Sequence, residues 1–507
     1  MRNSVDISDI AYYIGLSESD DQFNIYANGY LVFGRDILTD DALTMTGVAR
    51  VRAPVTIDDG LTLADTVTLI NASTVTQNGD TLVLGQSPSD SAIVRNAVGA
   101  SWILAAKAGI GGAGSSAFVN LGLLEARAGP CVVDANFYDR GGTIQVDQAG
   151  GKGVLGQLTF ASPGDVNRFV DDKIAGPGGF ALDGGVLIGS SISTGSTDLT
   201  VARAVGNVTI SSAVVQIDDL SLAAGSVVTF TNPVGELELG ARIGGVGEIY
   251  VNGPRTVRID GTGDDDASLL AGGVTFSNSG QTDFYGYDVA NPIDSAGFSL
   301  NTRPLNGATV TIENQAGATW TDLGDGSVYQ QLGQGGNSLF VNDGTFVANS
   351  SYNNEAFDIP LQNNGLVIAG FDELIGLGFD DTFAINAALS GSGAINLGFV
   401  DARVADAVGA GQTLDFVTSG TASSHPSLEI DRPDLFAATI SGFGLDDQLE
   451  VNPAWSFVDY VPSNGGTDGA LLFSDGASQA SIHLTGSYDP AGFSVAATNF
   501  TVVTYRA

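Results

Sequence analysis

Histidine occurs at only two positions in this chain, His425 and His483. A Ser-His-Asp relay would have to use one of them. His483 stands in Ile482-His483-Leu484, an alternating pattern that reads as strand, and His425 precedes Pro426 in a Ser-rich turn. Neither has the setting of a nucleophile elbow, so this chemistry is not expected. Carboxylates are the larger resource. Glycoside hydrolysis needs two of them facing one cleft. Asp264 to Asp266, and Asp372-Glu373 with Asp380-Asp381, are the runs that could supply the pair; turn acids in solvent are the plainer account. Polysaccharide-lyase chemistry wants an Arg or Lys base, which 19 Lys and Arg in 507 residues do not encourage. Adjacent carboxylates also repel unless a cation offsets them, which makes Asp264, Asp265, Asp266, Asp380 and Asp381 candidate calcium ligands. Gly109 to Gly114 (GIGGAG) lacks the Lys-Ser/Thr ending of a phosphate-binding loop. Cys131, between Pro130 and Val132, is the sole cysteine, so it forms no internal disulfide and reads as a small buried apolar residue.

Charge narrows the partners. The net charge is −38, and lysine occurs only at Lys107, Lys152 and Lys173. Nucleic acid and anionic membranes would be repelled. No run approaches a membrane span. The first residues do not read as a secretory signal, because Asp6 and Asp9 interrupt them and Ile10 to Leu16 is too short and polar.

The elements that would carry these residues are strands. Hydrophobic residues make up 43% of the chain, enough for a large core, and Gly numbers 69. Short alternating runs such as Thr81-Leu82-Val83-Leu84 and Thr143-Ile144-Gln145-Val146 recur between Gly, Asn and Asp. Only Ser101 to Ala108 carries a helical reading. Residues 115–122 (SSAFVNLG) and 337–344 (NSLFVNDG) share Ser-x-Phe-Val-Asn-x-Gly, each preceded by a tryptophan, Trp102 or Trp320. Downstream, Asp134 matches Asp358, Phe137 matches Leu361, and Gly141 matches Gly365. Residues 102–146 and 320–368 therefore read as two copies of one unit. Steps of about 20 residues suit one coil of a parallel β-solenoid, with apolar residues inside and Asn and Gly at left-handed corners. A string of β-sandwiches shares these turn signals and remains the alternative.

Past residue 400 the pattern changes. Phe436 to Gly444 (FAATISGFG), Asp446-Asp447-Gln448-Leu449-Glu450-Val451, Gly469 to Gly476 and Ile482 to Tyr488 follow in order. This stretch resembles the terminal β-repeat module of large secreted adhesins and haemolysin-type or autotransporter-like surface proteins of alphaproteobacteria. Ile243 to Gly247 followed by Val251-Asn252-Gly253 resembles the glycine-punctuated repeats of the same group. The resemblance implies export, often by a type I route with an uncleaved C-terminal signal, and a surface or matrix role. It departs from the group in lacking the Gly-Gly-x-Gly-x-Asp calcium repeat, of which Gly324-Asp325-Gly326 and Gly263 to Asp266 are only fragments.

The expected architecture is all-β: an N-terminal strand segment over 1–50, a parallel β-solenoid (β-helix) over 51–400 and a smaller β-rich module over 401–507. A solenoid end is an unpaired strand edge that must be capped or used. Ile10, Tyr12, Tyr13, Ile14 and Phe33 belong to strand-like runs rich in aromatics, so residues 1–50 are candidates to cap a coil of their own chain or to add to a neighbour's sheet. The expected function is a secreted structural or adhesive protein of the bacterial surface or matrix, not an enzyme, with copies of itself as partners. A glycan-binding or glycan-degrading protein and a calcium-dependent surface lattice are the alternatives.

Overall fold

The computed structural model describes residues 5–6, 24–33 and most of 44–506. Connecting segments including 148–155, 162–166, 261–268, 288–297, 371–381 and 418–425 are not described. The described residues contain no α-helix, only strands and three short 3₁₀ turns. Two compact units divide the chain, 1–235 and 236–507.

In the first unit the coils between residues 68 and 160 contribute three short strands each, and longer strands such as Ser196–Val205 and Val214–Phe230 follow. Thr68–Asn71, Thr74–Gln77 and Thr81–Leu84 form one coil; Ile93–Asn96, Ser101–Leu104 and Gly109–Gly112 form the next. Every strand pairs in parallel with its counterpart one coil away, as Leu69 does with Val94 and Val94 with Phe118. The fold is thus a parallel β-solenoid. Burial alternates along the strands, since successive side chains point to opposite faces. That period fixes the register, because a slip of one residue would turn the apolar row outward. Ser101–Leu104 is a strand rather than a helix. Trp102 and Leu104 are fully buried there, and the strand is stacked between Thr74–Gln77 and Leu123–Ala126.

The two sequence copies match element for element. Phe118 pairs with Phe137 and Phe340 with Leu361, as the alignment of the copies requires. Trp102 meets Phe118 edge-on at 5.3 Å, and Trp320 meets Phe340 edge-on at 5.4 Å. All four rings are buried. Such contacts contribute roughly 0.5–1.5 kcal/mol each beyond the area they bury.

The glycines of the shared motif have a different cause from the one expected. Gly122 and Gly344 are not left-handed. A Cβ on Gly122 would overlap the carbonyl oxygens of Ala97 and Ala100, and one on Gly344 those of Gln315 and Ala318. Close coil-to-coil approach demands glycine there. Gly141, by contrast, has φ 71° and open space around it, so it is a true left-handed corner.

In the second unit the parallel stacking runs past residue 400 to Gln448–Val451. Antiparallel strands follow. Ser456–Ser463, Asp468–Ser474 and Gln479–Thr485 form a meander, and Phe493–Ala497 pairs with Thr501–Tyr505. This module is built onto the last coil, through Thr439–Ser441 on one side and Gln448–Val451 on the other. At the N-terminal end, Asn24–Phe33 stacks in parallel on Thr44–Val51, which stacks on Thr68–Asn71. These strands extend their own chain's coils.

Candidate functional site

Seven times an apolar residue is followed two places later by asparagine at the end of a strand: Leu69-x-Asn71, Val94-x-Asn96, Phe118-x-Asn120, Phe276-x-Asn278, Ile312-x-Asn314, Phe340-x-Asn342 and Leu361-x-Asn363. All seven asparagines are buried. None is left-handed. Instead of forming corners they line up inside the coils. In the first unit Asn71 Nδ2 donates to Asn96 Oδ1 at 2.8 Å, Asn96 Nδ2 to Asn120 Oδ1 at 2.7 Å, and Asn120 Nδ2 to Asp139 Oδ2 at 3.0 Å. In the second unit Asn278, Asn314, Asn342 and Asn363 are joined in the same sense at 3.0, 2.8 and 2.8 Å.

Each amide has a second duty. The Nδ2 of Asn71, Asn96, Asn314 and Asn342 also donates to the carbonyl of Ser101, Leu123, Thr345 and Leu366, where the next coil's following strand begins. Two donors and one acceptor per side chain are thereby engaged, which a buried amide needs. The sequence residues separating rungs number 25, 24 and 19 in the first row and 36, 28 and 21 in the second. Coil length varies, so the row sets register where length does not.

The second row ends in an exception. One coil beyond Asn363 the position belongs to Gly391, where a Cβ would overlap the Asn363 carbonyl. Gln412, one coil further, has the extra methylene needed to reach back. Asn363 Nδ2 donates to Gln412 Oε1 at 3.1 Å, and Gln412 Nε2 donates to the carbonyls of Asn363 and Ser390 at 2.7 and 2.9 Å.

The first row ends in a carboxyl pair. Asp139 and Asp172 are both buried. Asp139 accepts from Asn120 and from the Gly142 amide, and Asp172 Oδ1 accepts from the Gly141 amide at 3.0 Å. Asp172 Oδ2 has no donor among the described residues. Two carboxylates cannot both ionise at such a site. Burial first, and the charge of Asp139 second, push the Asp172 carboxyl up to about 9, and burial raises Asp139 as well. A proton held on Asp172 is shared with Asp139. The second unit repeats this device at Glu355, which burial and then Asp322 hold well above the usual carboxylate range.

The C-terminal module carries a cleft of about 410 Å³. Phe443, Leu445, Thr485, Ser487, Tyr488 and Tyr505 line it. Behind it Tyr460, Tyr488, Phe493 and Tyr505 form a ring cluster with centroids 4.8–5.9 Å apart. Burial lifts the Tyr488 hydroxyl to about 12, and it donates to the Thr485 carbonyl, so it stays neutral.

The residues singled out by sequence fall unevenly on this structure. Ile10, Tyr12, Tyr13 and Ile14 lie outside the described residues, as do Asp264, Asp265, Asp266, Asp372, Glu373, Asp380, Asp381 and His425. Phe33 ends the strand Asn24–Phe33, opposite Val51 of its own chain. His483 lies on the strand Gln479–Thr485 between Thr439 and Ala470, with Nδ1 3.4 Å from Thr439 Oγ1. Cys131 is a buried free thiol, raised to about 11 by burial. No group of three or more His, Cys, Asp or Glu that could hold a metal ion occurs among the described residues. Nor is any helix there long and apolar enough to cross a membrane. No family model, curated protein or solved structure matches the chain.

Proposed function

We propose that this chain is an extracellular structural or adhesive protein of a bacterial surface or matrix, that it assembles with copies of itself, and that it is not an enzyme. The observation supporting this is where the polar side chains go. The buried asparagines of the two rows, and the carboxyl pair that closes the first row, are engaged with one another along the coil stack, holding adjacent coils in register. The resemblance of residues 408–495 to the terminal module of secreted surface proteins adds support for export. Negative-stain microscopy of the purified chain is the test, alone and after deletion of residues 1–20. Fibres from the full chain, lost on deletion while the β-sheet circular dichroism is kept, bear out assembly through the N-terminal segment. A dispersed monomer that depolymerises acidic or neutral polysaccharides overturns the reading.

Glycan binding is a second reading, favoured by the C-terminal cleft. Tyrosine and phenylalanine beside Thr and Ser hydroxyls offer sugars an apolar face and hydrogen bonds together, and the absence of Lys and Arg from the lining suits neutral sugars. Titration with neutral oligosaccharides, followed by tyrosine fluorescence in the parent and in Tyr488→Ala, checks it. Equal responses from the two proteins remove the cleft from consideration.

A further inference from the structure

The C-terminal module has two edge strands, and they are built differently. Among the described residues, Ser456–Ser463 pairs only with Asp468–Ser474, and Phe493–Ala497 only with Thr501–Tyr505. The first edge is defended. Its pairing slips between Phe457 and Asp459, and it carries the charge of Asp459 and the ring of Pro462. Bulges, charges and prolines are the usual means of stopping a second strand from adding. The other edge has none of them. Phe493 to Phe500 reads FSVAATNF, eight residues without a charge in a chain of net charge −38. Ser494 to Ala497 are exposed, Val495 by 46%.

The hydrogen bonding shows which groups face outward. Arg506 N donates to the Gly492 carbonyl at 2.8 Å, so the pairs 492/506, 494/504 and 496/502 are those bonded to the inner strand. Phe493, Val495 and Ala497 therefore turn their N–H and C=O groups away from it.

We propose that this edge pairs antiparallel with the same edge of a second copy, about a two-fold axis through Val495. Val495 then faces its own counterpart, Phe493 faces Ala497, and Ser494 faces Ala496. Phe493 on Ala497 sets a large side chain against a small one. Three facing pairs exchange about six main-chain bonds, all from groups otherwise left to water. Asp489 falls opposite Thr501, so no like charges meet along the joint. A second copy is favoured over an unrelated strand because the uncharged run lets two strongly acidic chains approach where carboxylates do not repel. The isologous contact closes on a pair. It involves none of residues 1–50 and stands apart from assembly through them.

Sedimentation velocity of the full chain over a concentration series tests this. The parent is expected to pair reversibly. Val495→Lys places two like charges on the axis and is expected to be monomeric with an unchanged melting temperature, and Val461→Lys on the defended edge is expected to pair as the parent does. Cross-linking tests the symmetry directly. Under mild oxidation Val495→Cys should give a disulfide-linked pair at least tenfold faster than Ser494→Cys, because only position 495 meets itself; Cys131 is buried. A parent that stays monomeric at high concentration overturns the proposal. So does a Val495→Lys variant that pairs like the parent, or equal cross-linking at 494 and 495. Deleting residues 1–20 separates the two assembly modes, since this pairing survives the deletion.

Discussion

Asparagine is an awkward residue to bury, because its amide must find three partners or cost free energy. Here Asn120 finds them in Asn96, Asp139 and the Gly122 carbonyl. Asn120→Ala leaves a buried donor on one side and a buried acceptor on the other. We expect a loss of roughly 2–4 kcal/mol, measured by urea unfolding. A loss no larger than that of a change at the exposed Asn207, Asn207→Ala, would show that the row contributes little. The carboxyl that ends this row gives a pH dependence of definite sign. Asp172 titrates in the unfolded chain near 4 and in the fold near 9. Folding takes up a proton between those values, so its contribution is complete below about pH 4 and declines as pH rises toward 9. Glu355, and Glu429 at about 7, are raised in the same direction, in each case by burial first. Asp172→Asn cannot ionise, and its amide can donate to Asp139. The variant should be more stable than the parent at pH 8, with the difference vanishing toward pH 4. An offset that is the same at both pH values would contradict the shared proton.

At the scale of the coil, the row has to match the backbone step. Gln412 spans the coil in which Gly391 supplies no side chain. Gln412→Asn shortens the reach by one methylene and should destabilise the second unit as much as Gln412→Ala does, as read from thermal melts. If Asn retained the parent's stability, the span would not be what selects glutamine. Much of the coil was legible in sequence. The alternation and the paired Phe-Val-Asn-x-Gly motifs placed Phe118 with Phe340 and Trp102 with Trp320, because apolar periodicity reports burial directly. The asparagines were misread. Corner and interior asparagines look alike one at a time, and only the recurrence of apolar-x-Asn, seven times over, marks an inward row. Gly122 and Gly344 were misread for a related reason. Their constraint comes from the carbonyls of the previous coil, which no local pattern contains. The residues proposed for calcium and for strand exchange were chosen from local composition, and all but Phe33 lie outside the described residues.

At the scale of the whole chain, a net charge of −38 opposes both folding and any meeting of copies. Salt screens such repulsion, with a Debye length of about 10 Å at 0.1 M. Raising sodium chloride from low to physiological strength should therefore raise the melting temperature and strengthen pairing through Phe493–Ala497. Insensitivity of both would mean that the charge is already neutralised by tight counter-ion binding.

The amide rows also have a direction. In both rows every asparagine donates toward higher residue numbers, so each rung presents an acceptor to the coil before it and a donor to the coil after it. A coil such as 97–120 begins just after one rung and ends on the next, and a duplicate inserted in tandem would meet matching groups at both of its seams. A coil inserted in reverse sense, or cut between rungs, would not. The structure is in this respect a sentence with interchangeable words and fixed punctuation. It can lengthen by copying whole coils, while its two closing signs, Asp139 and Gln412, have to stay where the rows stop.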